Sequence, residues 1–143
     1  RNEVEWREAA RAGARTAFYN GGISSTGQDS NMDKIGWYFY NSGSKTHAVK
    51  GKLKNAFGLY DMSGNVYEWT FDWYSSSYYT SSAVTDPTGP NSGSNRVLRG
   101  GGWSNIAQYC RSRLIVTAIG RATVATTSAF ACSGRKVNLL FRI

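Results

Sequence analysis

The sequence is poor in the residues that catalytic centres draw on most. In 143 residues there is one histidine, His47, with two cysteines, Cys110 and Cys132, and two prolines. A single histidine excludes a histidine cluster for a transition metal, so His47 reads as a surface or turn residue. Two cysteines permit at most one internal disulfide and identify no compartment. No serine or threonine has an evident base, which leaves nucleophilic catalysis unsupported. There is no run of eighteen apolar residues and no signal-peptide pattern, so no direct membrane insertion is expected. The chain opens directly in a charged helical stretch, RNEVEWREAARAGA, and a preceding segment with an export signal or anchor is expected.

Acidic residues are also missing from one whole region. Residues 1–86 hold all nine Asp and Glu against nine basic side chains, whereas residues 87–143 hold eight basic residues and no acid. The net charge of +8 therefore belongs to the C-terminal part. Seven of those eight are arginines scattered singly, three beside glycine (Arg99, Arg121, Arg135), and no lysine-rich run accompanies them. That pattern argues against nucleic acid as the partner.

What is present fits one domain, 1–143, of irregular α+β type. Asn2 and Glu5 form a capping-box pair, Val4, Trp6, Ala9 and Ala10 can share a helix face, and Gly13 suits the helix end. NGGISSTGQDSN reads as loop, IGWYFY (35–40) as a short aromatic strand, and SSSYYTSSAVTDPTGPNSGSN as a long surface loop. RVLRG and NLLFRI read as closing strands.

The most specific stretch is NAFGLYDMSGNVYEWTFDWY, 55–74. Gly58 and Gly64 suggest tight turns, and Trp69 and Trp73 are spaced for one helical face. Asp61 and Glu68 bracket a turn whose carbonyls, with the two carboxylates, can hold a hard cation. The alternative is that Asp61 and Asn65 cap backbone and Glu68 pairs with an arginine.

GLYDMSGNVYEW, DPTGP, RVLRGGGW and LLFRI, in that order after NEVEWREAARAG, resemble the motifs of the formylglycine-generating enzyme, or sulfatase-modifying factor, family. The resemblance spans nearly the whole chain. It implies a C-type-lectin-like fold with short antiparallel strands, and a structural Ca2+ site on the side chains of Asp61 and Glu68 and the carbonyls of Gly64 and Val66. A second calcium site of some members needs a longer acidic loop than residues 31–51 supply. The enzymes of the family bind copper through two cysteines five residues apart after RGGS. Here Asn105 stands at the first position and only Cys110 at the second, so neither copper nor, for want of histidines, iron is expected.

Within the same family, RGGGWSNIAQYCRSR resembles the variable proteins of diversity-generating retroelements, whose C-terminal region is rewritten at asparagine codons. Trp103, Ala107, Cys110, Arg111 and Ser112 fall on fixed positions. Changing only adenines of AAC or AAT yields no Glu, Lys, Gln, Met or Trp. Residues 104–139 hold no Glu, Met or Trp, with one Gln and one Lys. Gln108 needs another route, and Leu140 replaces the glycine of the usual GFR ending.

The resemblance thus implies a non-catalytic ligand-binding protein, with residues 99–143 as the variable region. Its contact residues would be Ser104, Asn105, Ile106, Gln108, Tyr109, Leu114, Ile115, Val116 and Val137, solvent-facing although several are apolar. Trp103, Ala107, Cys110, Arg99 and Arg142 would be buried or hydrogen-bonded in the scaffold. For LIVTAI (114–119) an ordinary buried core strand is the alternative. A protein ligand is favoured over carbohydrate because acidic residues are absent. Display at a cell surface or outside the cell, as a monomer, is expected. The competing class is a catalytic formylglycine-generating-type oxidoreductase.

Overall fold

A computed structural model of the chain describes residues 2–78, 89–113 and 116–117, the last pair by backbone alone. The order of elements is α1 (Glu3–Arg11), α2 (Ser30–Ile35), β1 (Glu68–Trp73), β2 (Arg96–Arg99), a 3-10 turn (Ala107–Cys110) and β3 (Val116–Thr117). The three strands form one antiparallel sheet in the order β1-β2-β3. Glu68 faces Arg99 and Trp69 faces Leu98, and a bulge then shifts the register so that Trp73 faces Arg96.

α1 starts where its sequence says it should. Asn2 accepts the Glu5 N–H, and the Glu5 carboxylate accepts the Asn2 N–H. The far end closes through Ala12 in the left-handed region, followed by Gly13 at φ +86°. Trp6, Ala9 and Ala10 are buried as their spacing requires, whereas Val4 is half-buried. The fourth buried residue of the face is Glu3, which forms an ion pair with buried Arg99 of β2. Asp72 of β1 accepts the Glu3 N–H, placing a carboxylate at the positive end of the helix.

Two sequence expectations are corrected. IGWYFY is not a strand: Ile35 closes α2, Gly36–Tyr38 has no regular structure and Phe39–Tyr40 is a turn. The cause is Asp29, whose carboxylate caps the N–H groups of Asn31 and Met32 and starts a helix there. Trp69 and Trp73 lie on a strand, not a helix, and both are half-buried while Thr70 and Asp72 between them are buried. A spacing of four puts two residues on one face of either element.

The core has two parts bridged by Tyr19. Phe18, Met32, Ile35, Tyr38, Ala107 and Cys110 form one, and Trp6, Ala10 and Met62 form the other. Asn55, also buried, ties them to the helix end: its amide donates to the Ala9 and Ala10 carbonyls, and its oxygen accepts the Phe57 and Leu59 N–H groups. NLLFRI, Cys132, Arg142 and most of the DPTGP loop lie outside the described residues.

Candidate functional site

The chain leaves β2 through Gly100 and Gly101, both at positive φ. A Cβ at Gly101 would lie 2.8 Å from the Cys110 sulfur and 3.0 Å from the Tyr109 carbonyl, so only glycine fits. The following segment is stitched to the scaffold by its main chain. Trp103 N–H donates to the Asn65 carbonyl (2.9 Å), and the Trp103 carbonyl accepts the Ser42 hydroxyl (3.0 Å). Phe39 N–H donates to the Asn105 carbonyl, Ala107 and Gln108 donate to the carbonyls of Gly27 and Thr26, and Ser112 donates to Ala17. Bonds of this kind do not depend on the side chains of the segment.

The turn at Gly64 and Asn65 is the hub. Gly64 N–H donates to Gly100, and a Cβ on Gly64 would sit 2.3 Å from the Trp37 carbonyl. Asn65 N–H donates to that same carbonyl, while its side chain both accepts the His47 N–H and donates to the His47 carbonyl. His47 is accordingly locked in irregular backbone and half-buried, stacked on Trp37 at 3.8 Å with Nε2 2.7 Å from the Ser42 carbonyl.

Along 103–113 the side chains sort by position. Ala107, Cys110 and Ser112 are buried. Ser104 and Tyr109 are exposed, and Asn105, Ile106 and Gln108 are half-buried. Trp103 is half-buried rather than buried, held by its backbone. Asn105 also serves the scaffold: its Oδ1 accepts the Gly102 N–H at 2.8 Å, and it hydrogen-bonds Tyr67. Leu114, Ile115 and Val137 lie outside the described residues. Val116 stands opposite Leu98 in β3.

Two residues missed in the sequence border this segment. Phe39 and Tyr40 are exposed and meet edge to face at 5.3 Å. The Tyr40 hydroxyl is 3.0 Å from where a Cβ on Gly27 would lie, beside the bonds that hold Ala107 and Gln108. Their signal was the aromatic run at 37–40, which reads as a strand in sequence.

Cys110 has no disulfide partner among the described residues, is fully buried, and its thiol is pushed up to about 12 by burial. A thiol in that state stays protonated near neutrality, which suits neither a nucleophile nor a thiolate ligand.

At the Asp61 turn (φ +58°), Asp61 Oδ2 accepts the Lys50 N–H at 2.7 Å, whereas its Oδ1 is buried without a hydrogen-bond partner among the described residues. Glu68 Oε2 accepts the Trp6 indole N–H at 2.8 Å. The orphaned oxygen and the all-oxygen donor set fit a hard cation, which the Asp61 and Glu68 side chains with the Gly64 and Val66 carbonyls would hold.

The fold thus joins a three-stranded antiparallel sheet, two capped helices and a long irregular segment hung on a GNV turn. Residues 1–127 match the sulfatase-modifying factor enzyme 1-like domain, and the chain belongs to that family, with its α+β, C-type-lectin-like fold. Treponema denticola variable protein 1 superposes with a TM-score of 0.73 at 41% identity, over 81% of this chain and 40% of that one. PvdO from Pseudomonas aeruginosa gives 0.69 at 27% identity, over 84% and 46%. In sequence, the formylglycine-generating enzyme of Streptomyces coelicolor is 36% identical over 115 residues, 76% of this chain and 37% of the enzyme. Serine/threonine-protein kinase Pkn1 of Chlamydia trachomatis is 40% identical over 112 residues, 77% of this chain and 17% of the kinase. The chain spans less than half the length of each of these proteins.

Proposed function

We propose that the chain is a non-catalytic ligand-binding domain whose C-terminal region, from Arg99 onward, is diversified by a retroelement and displayed at a cell surface. The observation that carries this reading is the division of labour along 103–112. Main-chain bonds, the Asn105 side chain and three inward side chains, Ala107, Cys110 and Ser112, fix the path, while Ser104, Ile106, Gln108 and Tyr109 lie outside the core. Rewriting is tolerable only at such positions: large-to-small changes in a core cost about 2–5 kcal/mol, exposed ones about 0.5 or less. The likeness to a variable protein supports it further.

Because the backbone is ordered before contact, little conformational entropy is lost on binding. Phe39, Tyr40 and Tyr109 supply rigid aromatic area of the kind protein interfaces use. A protein ligand, bound by a monomer, follows better from this surface than carbohydrate or nucleic acid. Calcium at Asp61, Gly64, Val66 and Glu68 would stiffen the turn from which the segment hangs.

Sequencing the neighbouring genome tests diversification: a template repeat differing from the 104–139 coding region only at adenines is expected, and its absence would remove the proposal's basis.

The second reading, a formylglycine-generating-type oxidoreductase, is favoured by the enzymes at about 36% identity. Against it stand Asn105, committed to Gly102 and Tyr67, and the buried protonated thiol of Cys110. Stoichiometric copper together with oxidation of a cysteine-containing peptide would establish the enzyme and sink the binding reading.

A further inference from the structure

From Lys34 to Tyr60 the chain holds five of its six lysines and no Asp or Glu. The fold sorts these residues by direction. Lys52 turns inward, its Nζ lying 4.0 Å from the Trp37 ring centre and donating to the Asp33 carbonyl. Gly51 packs beside the Trp37 indole, and Asn55 is buried under the end of α1. Between these anchors the loop is pinned by Leu53 N–H to the Lys34 carbonyl, Lys50 N–H to Asp61, and a tight turn from Asn55 to Gly58.

What is left facing out alternates apolar and cationic. Val49 is 70% exposed, Leu53 58% and Phe57 63%, with Lys50 and Lys54 exposed between them. The Leu53 to Lys34 bond brings exposed Lys34 to the same edge. Single exposed apolar residues are ordinary, but three within nine residues, interleaved with lysines and held on a pinned loop, are not a random scatter. The nearby carboxylates form no ion pair with Lys34, Lys50 or Lys54 among the described residues: Asp61 Oδ2 takes the Lys50 N–H, and Asp33 Oδ1 takes the Tyr38 hydroxyl and the Asn41 amide.

We propose that the 49–57 loop is a peripheral docking surface for an anionic lipid bilayer, with Leu53 and Phe57 entering the headgroup boundary and Lys34, Lys50 and Lys54 facing the lipid phosphates. Charge complementarity selects the occupant: exposed lysines stand beside exposed apolar residues along the loop, a combination that binds an interface by apolar burial and electrostatic attraction together. A nucleic acid would call for arginines and several stacking rings, and this loop has neither. The surface shares no residue with the 103–113 segment and does not depend on the binding reading above.

Co-sedimentation of the chain with phosphatidylcholine vesicles, and with vesicles rich in phosphatidylglycerol, tests this. Binding is expected only to the anionic vesicles and to fall with added salt. Each lysine contributes about fivefold near such a surface, so Lys50→Gln with Lys54→Gln should weaken binding about 25-fold. Leu53→Ser with Phe57→Ser should weaken it at least about tenfold with an unchanged melting temperature, since both residues are exposed. No binding to anionic vesicles overturns the proposal. So does retention of full binding by Leu53→Ser/Phe57→Ser, or equally tight binding to heparin or a single-stranded oligonucleotide, which would mark a site for polyanions in general.

Discussion

Asp29 is the residue through which a single substitution should reach the 103–113 segment from outside it. It is buried, and its carboxylate accepts five hydrogen bonds: Ser24 N–H (2.6 Å), Ser24 hydroxyl (2.8 Å) and Ser25 N–H (3.1 Å) on one oxygen, Asn31 and Met32 N–H (2.9 Å each) on the other. Burial alone would raise its pKa, but the bonds from Met32, Ser24 and Ser25 outweigh it and hold the group at about 2, below the ordinary 3.8. The cap on α2 is worth about 0.5–2 kcal/mol. Donors left unsatisfied around Ser24 would add about 1–3 kcal/mol. Asparagine caps a helix about as well as aspartate, so Asp29→Asn should keep the cap and cost about 1–3 kcal/mol in urea unfolding, because its amide N–H group would face the Ser24 and Ser25 donors.

The depressed pKa gives a second handle. The stabilisation is complete above the unfolded value near 3.8 and is lost as pH falls through about 2, so wild-type stability should drop across that window and the Asp29→Asn variant should drop less. The Thr26 and Gly27 carbonyls beside this loop hold Gln108 and Ala107, so amide exchange at those two positions should quicken in the variant. A loss under about 1 kcal/mol, or equal acid sensitivity of both proteins, would refute the reasoning.

Glu3→Ala should cost about 3–5 kcal/mol by leaving Arg99 buried without its ionic partner, measured by chemical denaturation; a neutral result would mean solvent reaches the pair. Cys110 should resist iodoacetamide in the native chain at about pH 8 and react on unfolding, as peptide mapping would show, because burial holds its thiol at about 12. If calcium binds, a chelator should lower the melting temperature, and Glu68→Ala should abolish that response; no change on chelation would leave the Asp61 turn to hydrogen bonds alone.

The legible parts of the fold were those set by neighbours in sequence. The Asn2–Glu5 box, the αL exit from α1 and the turn at Gly58 rest on residues a few positions apart, whereas the Gly64 turn and strand β2 read from composition although their partners are distant. Contacts between distant positions left no local signal: Glu3 reads as an ordinary first-turn acid, and only the fold brings it to Arg99. The aromatic run at 37–40 reads as strand because composition is silent on where its backbone bonds go, which is to Asn65, Asn105 and Asn41. The lysine cluster was hidden by counting charge over residues 1–86, where the acids of α1 and β1 cancel it. At the candidate site, the alternation of Ala107, Cys110 and Ser112 with changeable neighbours was visible only by resemblance, since a segment held by its main chain needs no side-chain periodicity.

The central claim is that the path of 103–112 is independent of its outward side chains. Thermal unfolding of two variants tests it most directly. Ser104→Ala, Ile106→Ala and Tyr109→Ala combined should shift the melting temperature by no more than about 4 °C, whereas Ala107→Leu, forced into the core between Phe18 and Cys110, should lower it by about 5 °C or more. A large loss in the triple variant, or none in Ala107→Leu, would make the outward residues structural and contradict the account.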